Sequence, residues 1–162
     1  MIRDLLAEDA AAVDALLAAS FEERGEADLV TALRQADDLA LELVAEIEGR
    51  VVGHAAFPRL HSEAGLALAA LAPLTVDAEH RRQGLGEALT KQGLSTLGER
   101  GLHWCLVLGD PAYYGRFGFS AEAASGFATP YDGAHQMAVR LAPNSPPAAG
   151  RVVYPAAFGA LG

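Results

Sequence analysis

The chain has 162 residues, 51% of them hydrophobic, and sets 12 lysines and arginines against 21 aspartates and glutamates for a formal net charge of -9. That length suits one domain with a sizeable core, and the hydrophobic share excludes a disordered chain. The acidity argues against nucleic acid or an anionic membrane as partner, since each demands a basic face, and favours cationic ligands.

Taken in order, Ile2–Asp4 predicts a short strand, and Glu8 and Asp9 are acids suited to a helix start. Val13, Leu16, Leu17 and Phe21 then share one helical face. Residues 22–25 break the pattern, and Leu29, Val30, Leu33 and Ala36 make a second short helix ending near Asp37 and Asp38. Strands are predicted over residues 41–47 and 50–57, joined by Glu48-Gly49 as a hairpin turn. A turn at 61–65 leads to a third strand over 66–76, giving an antiparallel meander. Pro73 interrupts that strand, and because proline donates no ladder hydrogen bond a bulge or a lost pairing is expected there.

A long helix follows over 84–100, with Leu85, Ala88, Leu89 and Leu97 on one face and Gly101 as its stop. A strand at 103–108 then lies parallel to the one before the helix, because a strand-helix-strand crossover leaves no other choice. Asp110 and Pro111 are a favoured N-cap and first helical residue, opening a short helix that Gly118 closes. Residues 119–133 read as irregular and 134–141 as a strand. Residues 143–150 form a proline-rich linker, and 151–158, with Val152, Val153, Tyr154 and Phe158, is too apolar to stay in solvent and is expected to dock. The organisation is thus a single domain over 1–142, with 143–162 as linker and docking tail.

The turn between the third strand and the long helix is chemically specific. The first N–H groups of a helix lack intrahelical partners and carry the positive end of the macrodipole, so residues 83–87 offer donors to one spot, which suits a phosphate. Gly84 and Gly86 let the backbone approach a bulky anion, and Arg81 and Arg82 add charge at the rim. A pyrophosphate is the implied ligand. An ordinary strand-turn-helix corner and a dinucleotide fingerprint are rival readings. The fingerprint needs its first glycine at the strand end and a small third residue, whereas seven residues separate Val76 from Gly84 and the third position is Leu89.

Arg81-Arg82-Gln83-Gly84-Leu85-Gly86, R-x-x-G-x-G after a strand ending in V-D-x-E-H, resembles the coenzyme A pyrophosphate loop of the GNAT superfamily of N-acetyltransferases. Downstream, Ala112-Tyr113-Tyr114-Gly115-Arg116-Phe117-Gly118-Phe119 resembles the family's A-x-x-F-Y-x-K-x-G-F helix, with Tyr113 and Tyr114 on its Phe-Tyr pair. The resemblance implies a GNAT fold of the α/β (α+β) class: a mixed, mostly antiparallel central sheet, helices on both faces, and a splayed parallel strand pair that admits the pantetheine arm. It implies acetyl-CoA as co-substrate and a primary amine of a small molecule or peptide as acceptor, with direct attack.

By the same resemblance Arg81, Arg82, Gln83, Gly84, Leu85, Gly86 and Glu87 hold the pyrophosphate. Leu74, Thr75 and Val76 contact the pantetheine, and Asp110 and Tyr114 border the cofactor. The Val76 N–H is then the oxyanion donor, and Tyr114 the acid that protonates the departing thiolate, its phenol with an ordinary pKa of about 10. No side-chain base stands on the apolar strand 66–76. His54, His61, Glu63 and the acids Glu22, Glu23 and Glu26 are weak alternatives, and His80 fits a phosphate neighbour better than a catalyst. That missing base keeps open a module that binds acyl-CoA without turning it over, beside the dinucleotide-binding oxidoreductase.

No His, Cys or acid cluster shows ligand spacing, so no metal is expected. Cys105, the one cysteine, sits in an apolar run, and residues 1–10 carry acids where a signal peptide would be apolar. The longest apolar stretch is interrupted by Pro73 and is too short to span a bilayer. A cytoplasmic protein is expected, with neither nucleic acid nor membrane as partner and with room for a homodimer.

Overall fold

The structure is a computed structural model that describes residues 1–131 and 133–161. Asp132 and Gly162, which fall in the irregular segment and the tail expected above, lie outside the described residues. The first strand is β1, Ile2–Asp4, and after a 3-10 turn the chain forms α1, Ala10–Phe21, and α2, Gly25–Gln35. Next come β2, Leu39–Ile47, and β3, Arg50–Ser62, then two short strands, β4, Leu68–Ala70, and β5, Leu74–Val76. After α3, Leu85–Glu99, follow β6, Trp104–Leu108, α4, Pro111–Tyr114, and α5, Ala121–Ala124. The chain closes with β7, Gln136–Arg140, β8, Val152–Val153, and a 3-10 turn over Ala156–Leu161.

These strands make one sheet in the order β1-β2-β3-β4-β6-β7, with β5 and β8 also paired to β3. Every pairing between these strands is antiparallel except β4 with β6. Alternate residues of a strand point to opposite faces, and the core divides accordingly. Leu43 and Ala45 pack with Leu89 and Leu97 of α3, whereas Val44 packs with Val13 and Leu17 of α1 and Val30 of α2. Helices therefore cover both faces of the sheet. Gly93 brings α3 close, since a Cβ there would lie 2.1 Å from Cζ of Phe57.

The expected third strand is divided at Pro73. Ala72 N donates to Ala56 O at 3.0 Å and Ala56 N donates to Pro73 O at 3.1 Å, so two residues face one. This is a β-bulge, and the register against β3 shifts by one residue between Arg59↔Ala69 and Ala55↔Leu74. Past the bulge the neighbouring strands part. The parallel ladder runs from Leu68↔Trp104 to Ala70↔Leu106 and ends with Leu71 N donating to Leu106 O at 2.9 Å. Beyond it β5 pairs only with β3, and Val107 and Leu108 pair only with β7. A V-shaped gap opens between β5 and the end of β6.

Several sequence expectations are revised. β2 starts at Leu39 rather than 41, and β3 runs on to Ser62 rather than 57, because β4 and the tail strand β8 supply partners for its far half. The turn expected at 61–65 narrows accordingly, since His61 and Ser62 pair with Val153 and Val152. Within the segment expected to be irregular, Ser120 caps α5 by accepting from Ala123 N at 3.0 Å. Residues 143–150 hold no regular element but are tied down, with Trp104 Nε1 donating to Pro146 O at 2.8 Å and Ser145 buried. Tyr154 packs edge-to-face on Tyr131 and on Phe158.

Candidate functional site: an arginine-walled groove beside the strand splay

The splay is framed by the backbone of β5. Asp77 N donates to Val52 O at 2.7 Å and Pro73 O accepts from Ala56 N, so residues 73, 75 and 77 turn their backbone groups to β3. Backbone direction alternates along a strand, so Leu74 and Val76 turn theirs to the gap. Thr75 is occupied by β3 and its side chain is buried.

The chain then turns into α3. Asp77 caps a 3-10 turn over Ala78–His80, Arg82 takes a left-handed φ of 65°, and Gly84 takes 80° as the N-cap of α3. No side chain caps this helix, which leaves the first-turn N–H groups of Leu85, Gly86 and Glu87 without intrahelical acceptors. Buried Thr90 fixes that turn by donating from Oγ1 to Gly86 O at 2.8 Å. Arg81 is held across the mouth, its Nε donating to Val76 O at 3.1 Å.

These residues wall a groove of about 450 Å³ formed by Val76, His80, Arg81, Arg82, Gly84, Leu85, Gly86, Glu87, Tyr113 and Arg116. Three of the 12 cationic side chains of a net-acidic protein meet here. The carboxylate of Glu87 is offset by Lys91 at 2.8 Å, which holds it below the usual glutamate range. With the positive end of α3 at its floor, the groove is built for an anion.

α4 supplies the opposite wall. Asp110 Oδ1 accepts from Ala112 N at 3.0 Å and so fixes the helix start; its carboxylate is spent on capping and does not line the groove. Tyr113 and Arg116, three residues apart, share a face, and the guanidinium lies 4.6 Å from the centre of the Tyr113 ring. The Tyr113 hydroxyl reaches α3, since a Cβ on Gly86 would lie 2.9 Å from it. Tyr114 faces inward, edge-to-face with Tyr113 and Phe119 and close over Gly109. Burial pushes its phenol up to about 12, well above the ordinary value of about 10. Burial also raises the Tyr113 phenol.

Of the residues singled out in the sequence, the structure gathers Val76, Arg81, Arg82, Gly84, Leu85, Gly86 and Glu87 on one wall. Leu74 borders the splay, while Gln83 is exposed between its neighbours and Tyr114 stands behind Tyr113. Tyr113 and Arg116 were not singled out as groove residues, although their i,i+3 spacing was the available signal. His54 is fully buried, its Nε2 2.7 Å from Glu42 Oε2, which also accepts from Arg34 at 2.6 Å. That triad braces α2 to the sheet. His61 and Glu63 lie at the far end of β3, beside β8 and Arg151. Among the described residues no cluster of three or more His, Cys, Asp or Glu is placed to hold a metal, and no helix is long and apolar enough to cross a membrane.

Comparison with known proteins gives the same picture. The GNAT acetyltransferase domain family matches residues 39–121. The uncharacterised N-acetyltransferase YhbS of Escherichia coli K12 is 44% identical over 125 residues, 76% of this chain and 75% of that one. The crystal structure of Escherichia coli YhbS in complex with CoA superposes with a TM-score of 0.90 at 38% identity, over 98% of this chain and 91% of that one. A GNAT acetyltransferase from Brucella melitensis in complex with acetyl-CoA gives 0.80 at 33% identity, over 98% and 97%. Bulge, splay, uncapped helix start and relatives together lead to one conclusion: the chain belongs to the GNAT family of acetyltransferases.

Proposed function

We propose that the protein transfers the acetyl group of acetyl-CoA directly to a primary amine. The observation that carries this reading is the continuity of an arginine-walled helix N-terminus with a strand gap that the outward backbone groups of Leu74 and Val76 face, with no strand among the described residues paired to β5 on that side. The support beyond it is that two of the solved relatives hold CoA and acetyl-CoA. The residue roles are part of the proposal. Arg81, Arg82 and the backbone of residues 83–87 bind the pyrophosphate, and Tyr113 and Arg116 close the groove over it. Leu74 and Val76 bond the pantetheine arm much as an added strand would, while Thr75 keeps β5 on β3. Asp110 acts through α4, whose first turn it fixes.

The chemistry asks little of side chains. The neutral amine attacks the thioester carbon, the Val76 N–H donates to the oxygen as it gains charge, and the C–S bond breaks. Tyr114 gives its proton to the departing thiolate, and the amine nitrogen releases one to solvent water, from which the tyrosinate is reprotonated. A phenol raised to about 12 stays protonated at neutral pH. The test is thiol release from acetyl-CoA with a panel of primary amines, each also assayed with Tyr114→Phe. Amine-dependent release that falls in the variant supports transfer. Tight acetyl-CoA binding with no release for any amine contradicts it and leaves a binding module.

A further inference from the structure

The arms of the splay enclose a second space, a cavity of about 330 Å³ whose walls include Ala70 and Ala72 before and within the bulge and Leu108 at the end of β6. Leu71 and Val107 lie between these, and Tyr131, Tyr154 and Phe158 complete it. The last two come from the tail, whose 3-10 turn lies against α2, on the sheet face away from α3. The groove and this cavity therefore meet the splay from opposite faces. The three rings brace one another, Tyr131 with Tyr154 at 4.9 Å and 90° and Tyr154 with Phe158 at 5.2 Å and 71°. Two alanines leave the room that the rings enclose.

The cavity's chemistry is one-sided. Among the described residues its lining carries no carboxylate, imidazole or cation, only aliphatic side chains and rings, two of them phenols. Burial and the neighbouring Tyr131 raise the Tyr154 phenol, opposed by the Gln136 amide, so it stays uncharged. Leu108 is 53% exposed, a large apolar side chain left uncovered at the opening.

We infer that this cavity is the acceptor site and that it takes a small arylalkyl monoamine, its ring among Tyr131, Tyr154 and Phe158 and its amino group at the splay. The inference rests on the transfer reading and names its acceptor class. About 330 Å³ is at the small end of ligand pockets and suits one ring and a short chain rather than a protein terminus. Ring-on-ring contact rewards an aromatic body. A second charge, as in a polyamine or a lysine, would be buried with no counter-ion among the described residues. The same apolar walls favour the uncharged form of the attacking amine, because desolvation disfavours the ammonium. A base on the strand is then unnecessary.

The test compares phenethylamine, spermidine and lysine amide by thiol release and by equilibrium binding to the CoA-saturated protein, in wild type, Leu108→Glu and Phe158→Ala. Leu108 is exposed enough for a glutamate to leave the fold intact, and acetyl-CoA affinity reports the fold and groove separately. We expect phenethylamine to exceed the other two in kcat/KM by at least tenfold. Leu108→Glu should erase most of that preference and Phe158→Ala should weaken phenethylamine about tenfold, both at unchanged acetyl-CoA affinity. A preference for spermidine or lysine amide in wild type overturns the inference, as does a preference that Leu108→Glu leaves unchanged. Phenethylamine that binds, loses binding in Leu108→Glu and is not acetylated supports the pocket and overturns the transfer reading. Failure of phenethylamine to bind overturns the pocket.

Discussion

Two adjacent tyrosines divide the work of the proposed site. Tyr113 sits in the groove wall with its hydroxyl at Gly86, and Tyr114 stands behind it against Phe119 and Gly109. Tyr114→Phe keeps the ring packing and removes the acid, so kcat should fall by about a hundredfold with little change in acetyl-CoA affinity. Tyr113→Phe should do the reverse, weakening acetyl-CoA while leaving kcat nearly intact. The pH dependence has a definite sign. An acid must keep its proton, and a phenol pushed up to about 12 does so throughout pH 7–10. Activity should therefore rise with pH as the amine loses its proton and should not fall again below pH 10. Sequence alone puts that falling limb near 10, because it cannot see the burial that moves it. For Arg116 the sequence offered only its i,i+3 spacing from Tyr113, and the contact of Tyr113 with α3 is what shows that this side of the short helix faces the groove.

At the level of elements, α3 must lie close enough to β3 for its first turn to meet the splay. Gly93 permits this, and Gly93→Ala would push a methyl into Phe57. The gain in helix propensity, about 1 kcal/mol, is smaller than the overpacking cost of about 1–3 kcal/mol, so a net loss in urea unfolding is expected. Glu42 ties α2 to the sheet. Burial tends to raise its pKa, and the bonds from His54 and Arg34 outweigh that and hold it below the ordinary glutamate value. A lowered folded-state pKa contributes stability that is present above the unfolded value, about 4.3, and lost as pH falls through the folded one. Glu42→Gln should cost about 3 kcal/mol at pH 7 and flatten the acid side of the stability curve, checked by urea midpoints from pH 7 to 3. Pro73 shows what patterning can reveal, since a missing N–H inside a strand is itself the signal for the bulge. The far half of β3 gave no such signal, because Pro58 interrupts the run and one of its partners, β8, lies remote in sequence. α5 has one turn, and its apolar period is too short to register.

Residues 143–159 close one side of the molecule. Val152 is buried against Leu60, Leu68 and Trp104, and Tyr154 packs beside it. Deleting residues 148–162 exposes that cluster, and at about 2 kcal/mol for each large apolar side chain the melting temperature should drop by roughly 10 °C. An unchanged melting temperature would show that the tail contributes nothing. The donor half of the site was legible in the sequence because one continuous stretch, from Val76 to Glu87, carries strand end, arginines, glycines and helix start. The cavity on the other face was not, because Ala70, Leu108, Tyr131 and Phe158 come from four separate places in the chain and meet only in the fold. The central claim is that the N-terminus of α3 binds the pyrophosphate of acetyl-CoA, and calorimetric titration of wild type and Gly86→Glu tests it. The variant puts bulk and negative charge against Tyr113 where phosphate would sit, at the cost of about two charge-assisted hydrogen bonds. Affinity for acetyl-CoA weakened at least about a hundredfold in a folded variant is the predicted result, and unchanged affinity in a folded variant would contradict it.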